Sequence, residues 1–84
     1  MYDLVGKNVL IRTVSYFYTG RIVEITKKAI RLETAAWIAD TGRFADSLKS
    51  CDFAEVEPYS EDCWVMLGAV VDITTIKTLP TAQK

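Results

Sequence analysis

The sequence predicts one small, mainly β domain built from five short antiparallel strands. Three observations predict it: apolar and polar residues alternate in several runs, β-branched and aromatic residues are enriched there, and Gly or Asp stands where runs end. The chain of 84 residues has room for a single domain, and half of its residues are apolar, as in ordinary globular proteins.

The alternation places the first three strands. Leu4-Val5-Gly6 predicts an N-terminal turn or short helix, and the period of two begins at Asn8. A turn at Thr13-Val14-Ser15 separates this strand from a second, Tyr16 to Thr26, in which Gly20 predicts a bulge or bend. The third strand places Ile30, Leu32, Thr34, Ala36 and Ile38 on one face, and Asp40-Thr41-Gly42 ends it.

The second half of the chain is less regular. Residues 43–62 are the least regular part of the chain. Within them, Ala45 to Ser50 predicts one helical turn, and Pro58 restricts any strand to a sheet edge. Cys63 to Leu67 and Ala69 to Ile76 predict two more strands, bent apart at Gly68. Residues 81–84 are expected to form a loose C-terminal tail.

The last strand predicts self-association. Val70 and Ile76 fall on one face and Val71 and Ile73 on the other, so burial is expected on both sides. A β-branched edge strand with so few charges either aggregates or pairs with a neighbouring subunit. We therefore predict a subunit interface that comprises Val65, Leu67, Val70, Val71, Ile73 and Ile76.

The composition argues against disulfide, metal-binding and membrane-spanning classes of protein. A domain of this size usually needs disulfides, a metal or a partner subunit. Met1-Tyr2-Asp3 does not begin a signal peptide, which predicts a cytoplasmic, reducing setting with Cys51 and Cys63 as free thiols. With no His and two Cys, neither a metal site nor a cofactor is expected. No membrane span is predicted, and a net charge of −1 limits any nucleic-acid role to a local patch.

Several short motifs resemble the Sm and Sm-like family. The residues similar to its first motif are Leu4-Val5-Gly6-Lys7, Val9, Ile11, Tyr18-Thr19-Gly20-Arg21-Ile22 and Leu32-Glu33-Thr34-Ala35. Those similar to its second motif are Val65-Met66-Leu67-Gly68 and Val71, and Leu79-Pro80 has a counterpart after the last strand of the family. The segment from Thr41 to Tyr59 is also similar to small proteins of tailed phages.

The resemblance implies a five-stranded, strongly bent antiparallel barrel with a short N-terminal helix. It implies a single domain that spans residues 1–80, in which residues 40–62 form a long variable loop. It also implies a homo-oligomeric ring of about five to seven subunits, in which the fourth strand of one pairs with the fifth of the next. Such rings usually bind single-stranded RNA around the pore, which makes Lys27, Lys28 and Gly68 candidate RNA-binding residues. However, Thr26, Ala29 and Leu67 stand where the family has the residues that read RNA bases. A structural or protein-interaction ring without RNA is therefore the alternative.

Asp40-Thr41-Gly42 raises a second, minor alternative. The same triplet forms the active site of retroviral-type aspartic proteases, in which two carboxylates of a dimer share one proton. Arg43 follows where a small residue is expected, and too few residues separate the triplet from Gly68 to build a flap. With no His, the usual partner for acid–base catalysis is also missing. The sequence therefore predicts a binding protein and not an enzyme.

Overall fold

The structure, a computed structural model, describes residues 1–84 and contains six β-strands, one α-helix and two 3₁₀ turns. The strands are β1 (Asn8–Thr13), β2 (Phe17–Ile25), β3 (Ala29–Asp40), β4 (Glu55–Pro58), β5 (Cys63–Met66) and β6 (Val70–Thr75). The helix α1 is Phe44–Ser50, and the 3₁₀ turns are Tyr2–Leu4 and Leu67–Ala69. The mainly β class is confirmed.

All neighbouring strands are antiparallel, and their order is β4-β3-β2-β1-β6. β3 is long enough to pair with β5 along its first half and with β4 along its second half. The expected count of five strands is wrong, because β4 lies inside the segment 40–62 that the sequence predicts as a loop. The barrel is not confirmed either: the sheet is open, since β5 and β6 pair with different strands and not with each other.

Two threonines close the first two hairpin turns without the Gly or Asn that tight turns prefer. The Thr13 hydroxyl donates to the carbonyl of Tyr16 at 2.7 Å and accepts from its N–H at 2.9 Å. In the β2–β3 turn, Thr26 Oγ1 accepts from the N–H groups of Lys28 and Ala29 at 3.2 and 3.1 Å. Side-chain hydrogen bonds of this kind replace the usual turn residues.

A bulge at Gly20 bends the central hairpin, as predicted. The pairing changes from Thr19 opposite Ala36 to Arg21 opposite Glu33, so β3 has one additional residue there. Thr34 lies at this point with a φ of 50°, in the left-handed region. Because the bulge reverses the alternation, the prediction of one shared face along β3 is wrong.

The sheet is covered on both faces by separate apolar clusters. The first core consists of Val9, Ile11, Ile22, Ile30, Leu32, Ala35 and Val65. The second core consists of Leu10, Ala36, Ile38, Phe53, Val56 and Ile76, with Leu48 of α1 packed against it. The segment 40–62 thus contributes a helix, a strand and the fully buried Phe53 to the second core.

A second bulge changes the expected faces of β6. Arg12 pairs with Asp72 and Thr13 with Val70, so Val71 has no partner residue on β1. As a result, Val70 and Ile73 both pack against the first core, whereas Ile76 belongs to the second. The prediction that Val70 shares a face with Ile76 is wrong for this reason.

The C-terminal tail is bound along the opposite edge of the sheet. Lys84 and Val56 exchange two backbone hydrogen bonds of 2.9 and 3.0 Å, which attach residues 81–84 to β4 instead of leaving them loose. The only α-helix, α1, is too short and too polar to cross a lipid bilayer.

Candidate functional site

The molecule has two unpaired strand edges. β5 is hydrogen-bonded only to β3 and β6 only to β1, so each has one side without a strand partner. Large apolar side chains are exposed on both strands: Trp64 and Met66 on β5 are 48% and 54% exposed, and Val71 on β6 is 52% exposed. Open edges with exposed apolar residues are places where another chain can add a strand.

A mostly apolar cleft of about 240 Å³ lies along the open side of β5. It separates β5 from the β1–β2 turn and from the end of the second 3₁₀ turn. Among the residues that line it are Tyr18, Tyr59, Cys63, Trp64, Met66 and Ala69. Val65 of the first core and two residues packed against that core, Tyr18 and Cys63, border the cleft, so the cleft lies directly over the first core.

The three ionisable side chains that line this cleft, Tyr18, Tyr59 and Cys63, are neutral at physiological pH, because burial raises the pKa of each. Burial raises the pKa of Tyr59 to about 12, although the residue remains 43% exposed. Burial also raises the pKa of the Cys63 thiol, and a hydrogen bond with Tyr59 offsets part of that effect. The cleft thus offers an uncharged wall, which suits an apolar strand.

The candidate RNA-binding residues lie together. Lys27 and Lys28 are exposed at the β2–β3 turn. The N–H of Leu67 donates to the carbonyl of Lys28 at 2.8 Å, which brings the exposed Gly68 beside this turn. Neither lysine forms an ion pair with an acidic side chain. Two free positive charges and a residue without a side chain therefore share one surface, formed by parts of the chain about forty residues apart.

The six residues of the predicted subunit interface differ in how far they are exposed to solvent. Val65 and Ile76 are buried in the first and second cores, and Leu67, Val70 and Ile73 are half-buried against the first core. Only Val71 presents most of its side chain to solvent. All six nevertheless lie on or directly beside the two strands whose outer edges are open.

The Asp-Thr-Gly triplet forms a turn. Asp40 is exposed at the end of β3, and its Oδ1 accepts a hydrogen bond from the N–H of Gly42 at 2.8 Å. Gly42 has a φ of 72°, which glycine adopts without strain. No group of three or more Cys, Asp or Glu side chains is arranged to hold a metal ion.

Tyr59 and Cys63 are site residues that the sequence did not indicate. Tyr59 follows Pro58 in a polar stretch, and Cys63 has no spacing relation to Tyr18 or Ala69 across the cleft. They meet because β4 and β5 run in the same direction along β3, which places Tyr59 just after β4 and Cys63 at the start of β5 beside the same cleft. No local pattern specifies this pairing. No family model, curated protein or solved structure matches this chain.

Proposed function

We propose that the chain assembles into an Sm-like ring of identical subunits and acts as a binding scaffold for single-stranded RNA. The observation that supports assembly is the presence of two unpaired edges on different strands, β5 and β6. Contact between β5 of one copy and β6 of the next is head-to-tail, and it leaves each end of the growing assembly open until the ring closes.

Assembly would also bury the apolar surface that the single chain exposes beside β5. An added strand beside β5 would cover the cleft and bury Trp64 or Met66 more deeply. Apolar burial of this kind is the main driving force for association of small domains. The bent barrel is then completed by two chains together.

The proposed ligand surface is formed by Lys27, Lys28 and Gly68. A ring repeats the two lysines once in every subunit, so that a weak local patch becomes a continuous positive zone despite the net charge of −1. Because Thr26, Ala29 and Leu67 cannot supply the base contacts typical of the family, we expect backbone binding with little sequence preference.

Light scattering on a size-exclusion peak tests assembly. We expect a mass of about five to seven subunits at micromolar concentration. A monomer mass under these conditions would remove the ring and the scaffold role with it.

Titration of labelled oligo-U and oligo-A at low and moderate salt tests the ligand. We expect both to bind, and we expect Lys27→Glu with Lys28→Glu to lower the salt slope of log K by about 0.7 for each lysine–phosphate pair that the substitutions remove. Arg43→Glu with Lys49→Glu makes the same change in net charge near α1 and should bind as the unchanged protein does.

The outcomes of this titration separate the candidates. If neither oligonucleotide binds at low salt, the ring is a structural or protein-interaction assembly. If the lysine pair and its control bind equally well, the ligand surface is not at the β2–β3 turn.

A further inference from the structure

We infer that β6 of a second copy pairs with β5 in one antiparallel register, which places Ile73 opposite Val65 and Thr75 opposite Cys63. The inference rests on the proposed self-assembly and specifies its contact. It follows from the faces of the two strands, from two unpaired charges and from the position of Val71.

The faces of the two strands limit the possible registers. Cys63 and Val65 both pack against the first core. On β6, Ile73 and Thr75 lie on the same face of the sheet, because they pair with Ile11 and Val9 of that core. A slip of one residue would turn Ile73 to the opposite face, so only registers that differ by two residues remain.

Two charges select among the remaining registers. Glu61 lies two residues before β5, Lys77 lies two residues after β6, and neither has an ion-pair partner within the chain. In the proposed register Glu61 lies opposite Lys77 of the second copy, whereas a shift by two residues in either direction separates them. An exposed pair of this kind contributes little affinity but favours one register over its neighbours.

Val71 lies at the other end of the same contact. The pairing of β6 with β1 passes over this residue, which leaves its side chain exposed. In the proposed register Val71 of the second copy is opposite Leu67, beside Met66 and Ala69, which line the cleft of about 240 Å³. The exposed valine and the open cleft therefore cover each other.

A disulfide across the contact tests the register directly. Residues opposite each other in antiparallel strands have Cα atoms about 4.5 to 5.5 Å apart, within the range that a disulfide spans. In a Cys51→Ser background, Thr75→Cys should crosslink to Cys63 of the next copy under diamide, which accepts the two thiol hydrogens as the S–S bond forms. Thr74→Cys is the matched control, because Thr74 is exposed on the opposite face of β6.

We expect Thr75→Cys to convert most of the monomer band into multimers that disappear on reduction, and Thr74→Cys to remain monomeric on the denaturing gel. Light scattering before oxidation separates the two proposals. An assembled protein in which Thr75→Cys fails to crosslink, or crosslinks no better than Thr74→Cys, overturns the register and leaves self-assembly standing. A monomer overturns both.

A charge exchange provides a second measurement that needs no cysteine. Glu61→Lys and Lys77→Glu should each raise the concentration at which the assembly dissociates, because like charges then meet at the contact. The double variant restores opposite charges between copies and should return that concentration toward the original value. A double variant as weak as the sum of the two single changes would contradict the proposed register.

Discussion

Replacing Gly20 with alanine tests the close packing of β2 against β3 at the bulge. A Cβ atom at this position would lie 2.8 Å from the Cβ of Leu32 and 3.2 Å from the carbonyl oxygen of Glu33. Both neighbours belong to β3, and Leu32 is fully buried. Neither can move without displacing the central strand or the first core.

The expected loss follows from two opposing effects. Insertion of a methyl group into a packed region costs about 1 to 3 kcal/mol. Because Gly20 does not have a positive φ, alanine also restricts the unfolded chain, which returns about 0.4 to 1 kcal/mol. Subtracting the midpoints of these two ranges, about 2 and about 0.7 kcal/mol, we expect Gly20→Ala to lower the free energy of unfolding by about 1.3 kcal/mol and Tm by about 5 to 10 °C.

Urea unfolding followed by circular dichroism measures this change. All variants are compared at one protein concentration, since self-assembly makes apparent stability depend on concentration. Gly68→Ala is the matched control, because nothing lies within 4 Å of a Cβ there and its φ is not positive. If Gly20→Ala is as stable as Gly68→Ala, the two strands accommodate the methyl group, and the close packing at the bulge does not exclude a side chain at position 20.

Two further predictions concern the ionisable groups. The pKa of Tyr59 is about 12 in the folded chain and about 10 when unfolded, so its contribution to stability is present below pH 10 and decreases as the pH rises toward 12. The stability advantage over Tyr59→Phe should therefore shrink between pH 10 and 12, by an amount that the partial exposure of the ring keeps modest; parallel curves would contradict this. For the thiols, burial acts to raise the pKa of Cys51, but hydrogen bonds from Thr78 lower it overall, whereas burial raises that of Cys63. Iodoacetamide should therefore modify Cys51 first, and equal rates in Cys51→Ser and Cys63→Ser, measured by mass spectrometry, would show that the two environments do not differ.

Local patterns predicted the elements whose residues alternate strongly. The segment around Leu32 and the bend at Gly20 were recognisable because a period of two and a glycine inside a strand both reflect local backbone geometry. β4 was not recognisable as a strand, since Glu55-Val56-Glu57-Pro58 offers one apolar residue and a proline. It forms because β5 pairs with only the first half of β3, which leaves the second half of the same edge for β4.

The candidate site shows the same division. The sequence indicated the charge of Lys27 and Lys28 and a bend at Gly68, but the hydrogen bond between Leu67 and Lys28, which brings them to one surface, is a feature of the tertiary structure. The apolar character of β6 was likewise evident, whereas its faces were not. A single bulge at Val71 changes which side chains reach the first core, and a bulge depends on the partner strand as much as on the strand itself.

By itself, the sequence determined the mainly β class, the positions of the principal strands and turns, and the scarcity of charge along the last strand. These depend on the alternation and chemistry of neighbouring residues. Only the tertiary structure decided that the sheet stays open between β5 and β6, that Tyr59 and Cys63 meet in a cleft, and that residues 40–62 form part of a second core. Those features depend on pairing between distant segments, whose register is set by long-range packing and bulges that local periodicity does not encode.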